Sequence, residues 1–231
     1  MKLIKLNNNQ LKIIAMIAMV CDHVGKELFP QYVFLQIIGR LALPIFSYMI
    51  AEGCNYTKNR RSYLLKIAAL GIGCQAVYFI AEKSMYQNIL ITFSLSIITI
   101  YVLDIFLRKK SFLSGLSAVL VITAILFICT IMPKLLSSYG FNIDYGVFGV
   151  ILPVVVYFCK NTSLKLLGIS ICIVGISFDL GGIQWFSLLS IPFIALYNGK
   201  RGKLNLKYLF YIFYPTHLAI IYLIKLAIDY L

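Results

Sequence analysis

Residues 11–61 read LKIIAMIAMVCDHVGKELFPQYVFLQIIGRLALPIFSYMIAEGCNYTKNRR, and this stretch decides the fold. Most of it is apolar enough to lie in lipid, yet Asp22, His23, Arg40 and Glu52 stand inside the apolar part. A charged side chain in the bilayer costs at least ~2.5–3.5 kcal/mol on insertion scales, so such groups are rare, paired and functional. The stretch therefore marks a membrane fold and, within it, the residues around which the remaining chain is scaffold and entrance.

Outside this stretch the composition is of the same kind. The chain has 231 residues, 61% of them hydrophobic and only 13% charged, with a mean hydropathy of +0.91. Soluble domains are ~45–50% apolar and ~25% charged, so this chain departs toward membrane proteins. A net charge of +13 would suggest nucleic acid in a soluble chain; here its distribution assigns it to topology, and no nucleic-acid partner is expected. Cys21, Cys54, Cys74, Cys129, Cys159 and Cys172 fall within or at the ends of apolar runs, without a CxxC pair or a neighbouring His cluster. They read as small buried apolar residues, and neither a metal site nor a disulfide framework is expected. Lys2 and Lys5 before an apolar run resemble a secretion signal, but no small-x-small cleavage site follows and the run leads directly into Asp22 and His23. It reads as an uncleaved first span.

Nine apolar segments approach the ~20 residues that cross ~30 Å of hydrocarbon. They are 9–28, 32–52, 63–81, 88–107, 112–132, 143–159, 164–180, 183–198 and 208–228. The sixth and eighth are short, and Gly181-Gly182 blurs the boundary before the eighth, which suits tilted, broken or re-entrant elements. With the N-terminus inside, 16 of the 21 Lys and Arg residues fall on the cytoplasmic side. Only Lys26, Lys83, Lys134 and Lys225 fall outside, and Arg40 lies within the second span. A missed or invented span would swap the sides of every later loop and break this positive-inside alternation. The expected fold is thus an all-α integral membrane protein, a polytopic bundle of about nine transmembrane helices. Its N-terminus is cytoplasmic, its C-terminus is outside, and residues 1–231 form a single domain in the cell membrane.

Asp22 and His23 come late in the first span, and Arg40 lies eight residues into the returning second span, so the three reach similar depth. Adjacent helical residues point about 100° apart, so Asp22 and His23 cannot both face one partner squarely. One division has Asp22 paired with Arg40 and His23 facing a cavity; the bland reading is an ion pair that fixes two helices. His217 sits mid-span beside Pro215, whose missing donor kinks helices and opens cavities, although a lone His also satisfies itself on a carbonyl. Asp144-Tyr145, Asp179 and Asn88 either line an external vestibule or are solvated span ends, while Glu52 and Asp104 are placed to pair with basic loop residues. Two cytoplasmic loops, NYTKNRRSY (55–63) and YNGKRGK (197–203), combine Lys58, Arg60, Arg61, Lys200 and Arg201 with Asn, Gly and Tyr. Such loops suit phosphate binding, and they also carry positive charge for topology alone.

Four stretches together resemble the TraX family, named for the conjugation protein linked to acetylation of the F-pilin N-terminus. They are LKIIAMIAMVCDHVG (11–25), IGRLALPIFSYMIAEGCNYTKNRRSYLLK (38–66), DYGVFGVILPVVVYF (144–158) and LYNGKRGKLNLKYLFYIFYPTHL (196–218). The resemblance implies a polytopic membrane protein of a broad acyltransferase superfamily that draws on cytosolic acetyl-CoA. A membrane-embedded His serves acyl transfer in that superfamily, which points here to His23, with Asp22, Arg40 and His217 as partners. The implied reaction moves an acetyl group from acetyl-CoA to an amine or hydroxyl of an envelope acceptor: a protein N-terminus, a glycan or a lipid. Lys58, Arg60, Arg61, Lys200 and Arg201 would hold the donor's phosphates. Two other classes stay open: a proton-coupled transporter relaying through Asp22, His23, His217 and Asp179, and a non-catalytic assembly factor.

Overall fold

The structure is a computed structural model and describes residues 5–203 and 206–229. Lys2, counted above among the cytoplasmic cations, and residues 204–205 of the fourth stretch lie outside the described residues, as does the side chain of Lys207. In chain order the helices are α1 (Asn8–Glu27), α2 (Val33–Gly39), α3 (Ala42–Tyr56), α4 (Arg60–Glu82), α5 (Ile89–Lys109), α6 (Phe112–Leu126), α7 (Met132–Leu135), α8 (Gly146–Phe158), α9 (Thr162–Leu180), α10 (Ser190–Ala195) and α11 (Lys207–Asp229). Two two-residue strands, β1 (Tyr86–Gln87) and β2 (Asn142–Ile143), pair in parallel, and a 3₁₀ segment covers Gly182–Leu189. The protein is an all-α membrane protein.

All nine predicted segments are mainly helical, but they are not equivalent. Among the described residues, six are long and apolar enough to cross a bilayer: Val33–Tyr56, Arg60–Glu82, Ile89–Lys109, Phe112–Leu135, Thr162–Leu180 and Tyr208–Ile228. Gly146–Phe158 and Gly182–Ala195 are apolar but shorter. The first segment, α1, has the length for a span, but Asn8, Asn9, Gln10, Lys12, Asp22 and His23 dilute its apolar character.

Prolines explain the interruptions. The second segment divides at Arg40-Leu41 because Pro44 has no N–H for the Arg40 carbonyl and its ring crowds that carbonyl. In the fifth, Pro133 likewise deprives the Cys129 carbonyl, and Phe127–Ile131 widens into a π-turn between α6 and α7. Between the seventh and eighth, Gly181 and Gly182 both take positive φ (68° and 54°), which ends α9 and launches the 3₁₀ segment.

The chain folds as two compact units: the residues up to Met49 with those from Ile173 onward, and Ile50–Cys172. In the first unit α2 returns antiparallel along α1, with Gly25 against Leu35 and Gly39 against Asp22. Parallel to α1 runs α11, as its contacts show in order: Lys12 over the Phe210 ring, His23 beside His217, and Glu27 with Lys225. Leu11, Ala15 and Ala18 of α1, Ile45 of α3 and Ile194 of α10 are fully or almost fully buried in it.

The second unit is built on α5, which packs against α4, α6 and α8. Small and hydroxylated residues make these contacts close. Ser96 Oγ donates to the Val150 carbonyl at 2.8 Å, Thr92 Oγ1 to the Asp144 carbonyl at 2.9 Å, and Gly71 admits Leu90 and Ile91. Asn88, weighed above as a vestibule residue, caps α5 and also donates to the Gly71 carbonyl. Asp144 accepts from the Tyr86 hydroxyl at 2.7 Å. Burial, and then the neighbouring Asp144 carboxylate, hold the Tyr86 phenol above its ordinary pKa, which keeps it the donor.

Candidate functional site

Close packing of two glycines on α1 and α2 builds the site. A Cβ at Gly39 would stand 2.7 Å from the Asp22 Cα, so only glycine allows α2 this close to α1. The next residue, Arg40, is thereby delivered onto Asp22, and the two form a buried ion pair through Arg40 Nη2 and Asp22 Oδ1. Arg40 Nε donates to the Gln36 carbonyl at 3.3 Å, and Nη1 donates to Gln184 Oε1 at 3.0 Å. The other Asp22 oxygen accepts from Lys26 Nζ at 2.6 Å.

Sequence reasoning missed Gln184. It belongs to the 3₁₀ segment, where three residues make one turn and every third side chain lines up. Gln184, Ser187 and Ser190 follow that spacing, and all three are buried. Gln184 Nε2 donates to Ser187 Oγ at 2.8 Å, and Ser190 Oγ donates to the Ser187 carbonyl at 2.7 Å. A polar triplet at spacing three within an apolar run was the available signal. The network therefore runs Lys26–Asp22–Arg40–Gln184–Ser187 and carries one net positive charge. Guanidinium has five N–H groups; three have partners among the described residues.

His23 projects from α1 beside this network but makes its ring contact elsewhere. Its imidazole lies against that of His217, with centroids 5.2 Å apart at 60°. The expected division of labour thus stands for Asp22 and Arg40, whereas the described neighbour of His23 is a second imidazole. α11 runs on through Pro215 without a break. The His217 ring is 4.5 Å from the Phe213 ring and parallel to it, and its Nδ1 is 2.9 Å from the Phe213 carbonyl oxygen. Asp179, by contrast, is exposed at the end of α9.

The predicted phosphate-binding cations divide between the units. Lys200 and Arg201 belong with Asp22 and His23. Their loop clamps the start of α1: Asn8 N–H donates to the Lys200 carbonyl at 2.8 Å and Asn9 N–H to that of Arg201 at 3.3 Å. Gly202 (φ 92°) makes this approach, and a Cβ there would meet Asn7 Oδ1 at 2.8 Å. Both cationic side chains are exposed.

Lys58, Arg60 and Arg61 belong to the second unit. Lys58 and Arg61 are exposed, and Arg61 lines an open groove of about 340 Å³ with Asn59, Ser62 and Lys66. Arg60 is engaged otherwise. It pairs with Asp104 at 2.7 Å, donates to the Tyr157 hydroxyl at 3.3 Å and lies 5.0 Å from the Tyr101 ring centroid. Asp104 also holds Arg108 at 3.0 Å, and Glu52 holds Lys165 at 3.6 Å, so both acids pair with basic residues at helix starts and ends.

A buried acid–base network placed by glycine contacts, beside an imidazole pair, spans three of the four stretches quoted above. The profile of the TraX protein family matches residues 7–225. The chain belongs to the TraX family. Among similar proteins, a probable fimbrial assembly protein, FimC of serogroup H1, from Dichelobacter nodosus is 26% identical over 244 aligned positions, covering 92% of this chain and 93% of that one. An uncharacterised protein of Rickettsia prowazekii (strain Madrid E) is 27% identical over 226 positions, covering 95% of this chain and 78% of the other. No solved structure matches the chain.

Proposed function

We propose that this TraX-family protein is a membrane acetyltransferase that moves an acetyl group from cytosolic acetyl-CoA to an amine or hydroxyl of an envelope acceptor. The observation that carries the reading is that adjacent residues of α1 bear the two groups: Asp22 holds the buried Arg40 guanidinium, which keeps two N–H groups beyond its three described partners, and His23 meets the His217 imidazole. The fimbrial relative favours an acceptor that is a subunit of a surface fibre, with a glycan or lipid as the other acceptors of suitable chemistry.

The chemistry follows from the residues. The acceptor nitrogen or oxygen attacks the thioester carbonyl as His23 takes its proton, a step worth about 10²–10⁴-fold. Negative charge then develops on the carbonyl oxygen, where Arg40 and the net positive network stabilise it. On collapse the carbon–sulfur bond breaks, and the thiolate leaves with the proton held by His23. Acetyl-acceptor and free CoA result, and the imidazole is regenerated.

In this reading nine helical segments cross the cell membrane or enter it, with the N-terminus cytoplasmic and the C-terminus outside. Exposed Lys200 and Arg201 take the donor's phosphates on the cytosolic side. Along α1 about 22 Å separates their clamp at Asn8 from His23, at ~1.5 Å per residue. An extended thioester arm bridges that distance. The groove of Arg61 and Lys66 is a second cationic candidate for the same phosphates, and Arg60 is left as framework because Asp104 holds it.

The test is purified protein in lipid with acetyl-CoA and pools of envelope acceptors, scored for free CoA. His23→Ala is expected to lose at least about 10²-fold in turnover while remaining folded in the membrane. Undiminished turnover in that variant removes His23 from the reaction, and substrate uptake into vesicles without release of CoA would favour a transporter instead.

A further inference from the structure

His217 carries a feature that acyl transfer through His23 alone leaves unused. It is 6% exposed, and its Nε2 has no hydrogen-bond partner among the described residues. An unsatisfied polar atom in such a place is costly, so it calls for a reason. Its other nitrogen identifies the tautomer. A carbonyl oxygen can only accept, so the 2.9 Å contact with the Phe213 carbonyl puts the ring proton on Nδ1. Nε2 is then a bare lone pair. Phe213, 4.5 Å away and nearly parallel, and Tyr214, edge-on at 5.7 Å, hold the ring plane. His23 is the imidazole beside it.

We propose that His23 and His217 work as one proton-holding pair, in which His217 is the positioning residue. A turn of the His23 ring, whose centroid is 5.2 Å away, brings its N–H onto His217 Nε2, which then fixes the His23 tautomer and leaves the opposite His23 nitrogen as the base. This rests on His23 acting in acyl transfer. When His23 takes the acceptor's proton, its N–H toward His217 becomes a charge-assisted donor, so the imidazolium is stabilised without a carboxylate. His217 itself stays neutral, because a second charge 5 Å away opposes it. The proton returns through His23 to the departing thiolate, so the pair ends as it began.

The surrounding charges leave this role to His217. On α1, Asp22 is matched by Lys26 and Arg40, and Lys26 adds positive charge near His23. Just past the end of α2 the charged group is Arg40, and among the described side chains of α11 the charged one in contact with α1 is Lys225, paired with Glu27 at 2.7 Å. Among these described groups, no carboxylate is hydrogen-bonded to His23.

The experiment compares His217→Gln with His217→Phe in the full chain in nanodiscs. Gln offers an oxygen that can accept the same N–H; Phe keeps the ring and removes the acceptor. His217→Phe is expected to lose roughly 10²-fold in kcat, with the acid limb of its pH–rate profile moved to lower pH and the KM for acetyl-CoA unchanged. His217→Gln should recover at least part of both. Equal losses with an unmoved acid limb would make His217 a packing residue and overturn the proposal. Modification of His23 by diethyl pyrocarbonate, followed against pH by mass spectrometry, needs no turnover. If its midpoint falls in His217→Phe but no acetyl transfer is found, the pair stands and the acyltransferase reading fails. If the midpoint stays while transfer proceeds, the pairing is wrong and the reading survives.

Discussion

Both compact units bury ionisable side chains, but they satisfy them differently. In the second unit Asp104 holds two arginines, Arg60 reaches Tyr157 and Tyr101, and Glu52 meets Lys165. In the first unit Asp22, Arg40 and Gln184 form a comparable network through a side-chain amide, and each unit buries a ring polar atom with no hydrogen bond to the described residues, His217 Nε2 in the first and Tyr101 Oη in the second. Position along the helices differs as well. Arg60 and Arg108 lie at the first and last turns of α4 and α5, with side chains 36% and 71% exposed, whereas Arg40 is 8% exposed. The same residue types thus serve as a fastening where water can share them and, in the proposed reaction, as chemistry where it cannot.

The largest expected effect comes from breaking the buried pair. Arg40→Gln keeps a polar side chain but removes the charge opposite Asp22 and both spare N–H groups. Catalysis should fall by about 10²–10³-fold in kcat, the scale of losing an oxyanion donor. Stability should fall too, on the order of 3 kcal/mol, because an uncompensated carboxylate is left inside. Lys26 limits that loss, since it already contacts the other Asp22 oxygen. Turnover and thermal unfolding in nanodiscs measure the two parts; a variant as active as the parent would make the pair a fastening like Asp104–Arg60.

A second comparison uses glycines. At Gly39 an added Cβ meets the Asp22 backbone, which cannot rotate away, and α2 must move off α1. At Gly53 the obstruction is the far end of Tyr63, a flexible side chain. Gly39→Ala is therefore expected to lose at least tenfold in turnover by shifting Arg40 by a fraction of an ångström. Gly53→Ala should stay within a factor of about three, because a tyrosine rotamer can absorb the change. Similar losses in both would show that the units are equally intolerant and that the α1–α2 approach has no special role.

What the sequence disclosed follows the same division. Composition and segment length were enough for a helical membrane protein, and the pairing of Asp22 with Arg40 followed from two successive helices of opposite direction. The contact of His23 with His217 was not legible, because nothing in a one-dimensional pattern says that α11 runs beside α1 almost 200 residues later. Gln184 was passed over because its neighbours, Gly181-Gly182 and an apolar run, read as a segment boundary. Its spacing with Ser187 and Ser190 takes meaning only once the segment is known to be 3₁₀. Pro44 is a helix breaker by its chemistry, but the apolar run continues past it and hides the division at Arg40. Arg60 was grouped with Lys58 and Arg61 by adjacency, although on a helix neighbouring side chains diverge by about 100°. That rotation sends Arg60 to Asp104 and leaves Arg61 at the groove.

The smallest effect on activity should come from the second unit's own acid. Asp104→Asn removes the charge that gathers Arg60 and Arg108, but both guanidiniums sit where water can take over. Exposed ion pairs contribute about 0–1 kcal/mol each, and the two arginines repel one another once the carboxylate is gone. A stability loss on the order of 1 kcal/mol is therefore expected, deepening at low ionic strength, where the repulsion is less screened. Turnover should stay within about twofold of the parent at saturating acetyl-CoA, because the described partners of Asp104 are Arg60 and Arg108, neither of them assigned to proton transfer or oxyanion binding. The informative quantity is the KM for acetyl-CoA. Releasing Arg60 adds a free cation next to Arg61, so the KM should fall slightly if the groove of Arg61 and Lys66 takes the phosphates. It should be unchanged if Lys200 and Arg201 take them. A tenfold fall in kcat would instead place Asp104 in the reaction and dissolve the distinction between the two networks.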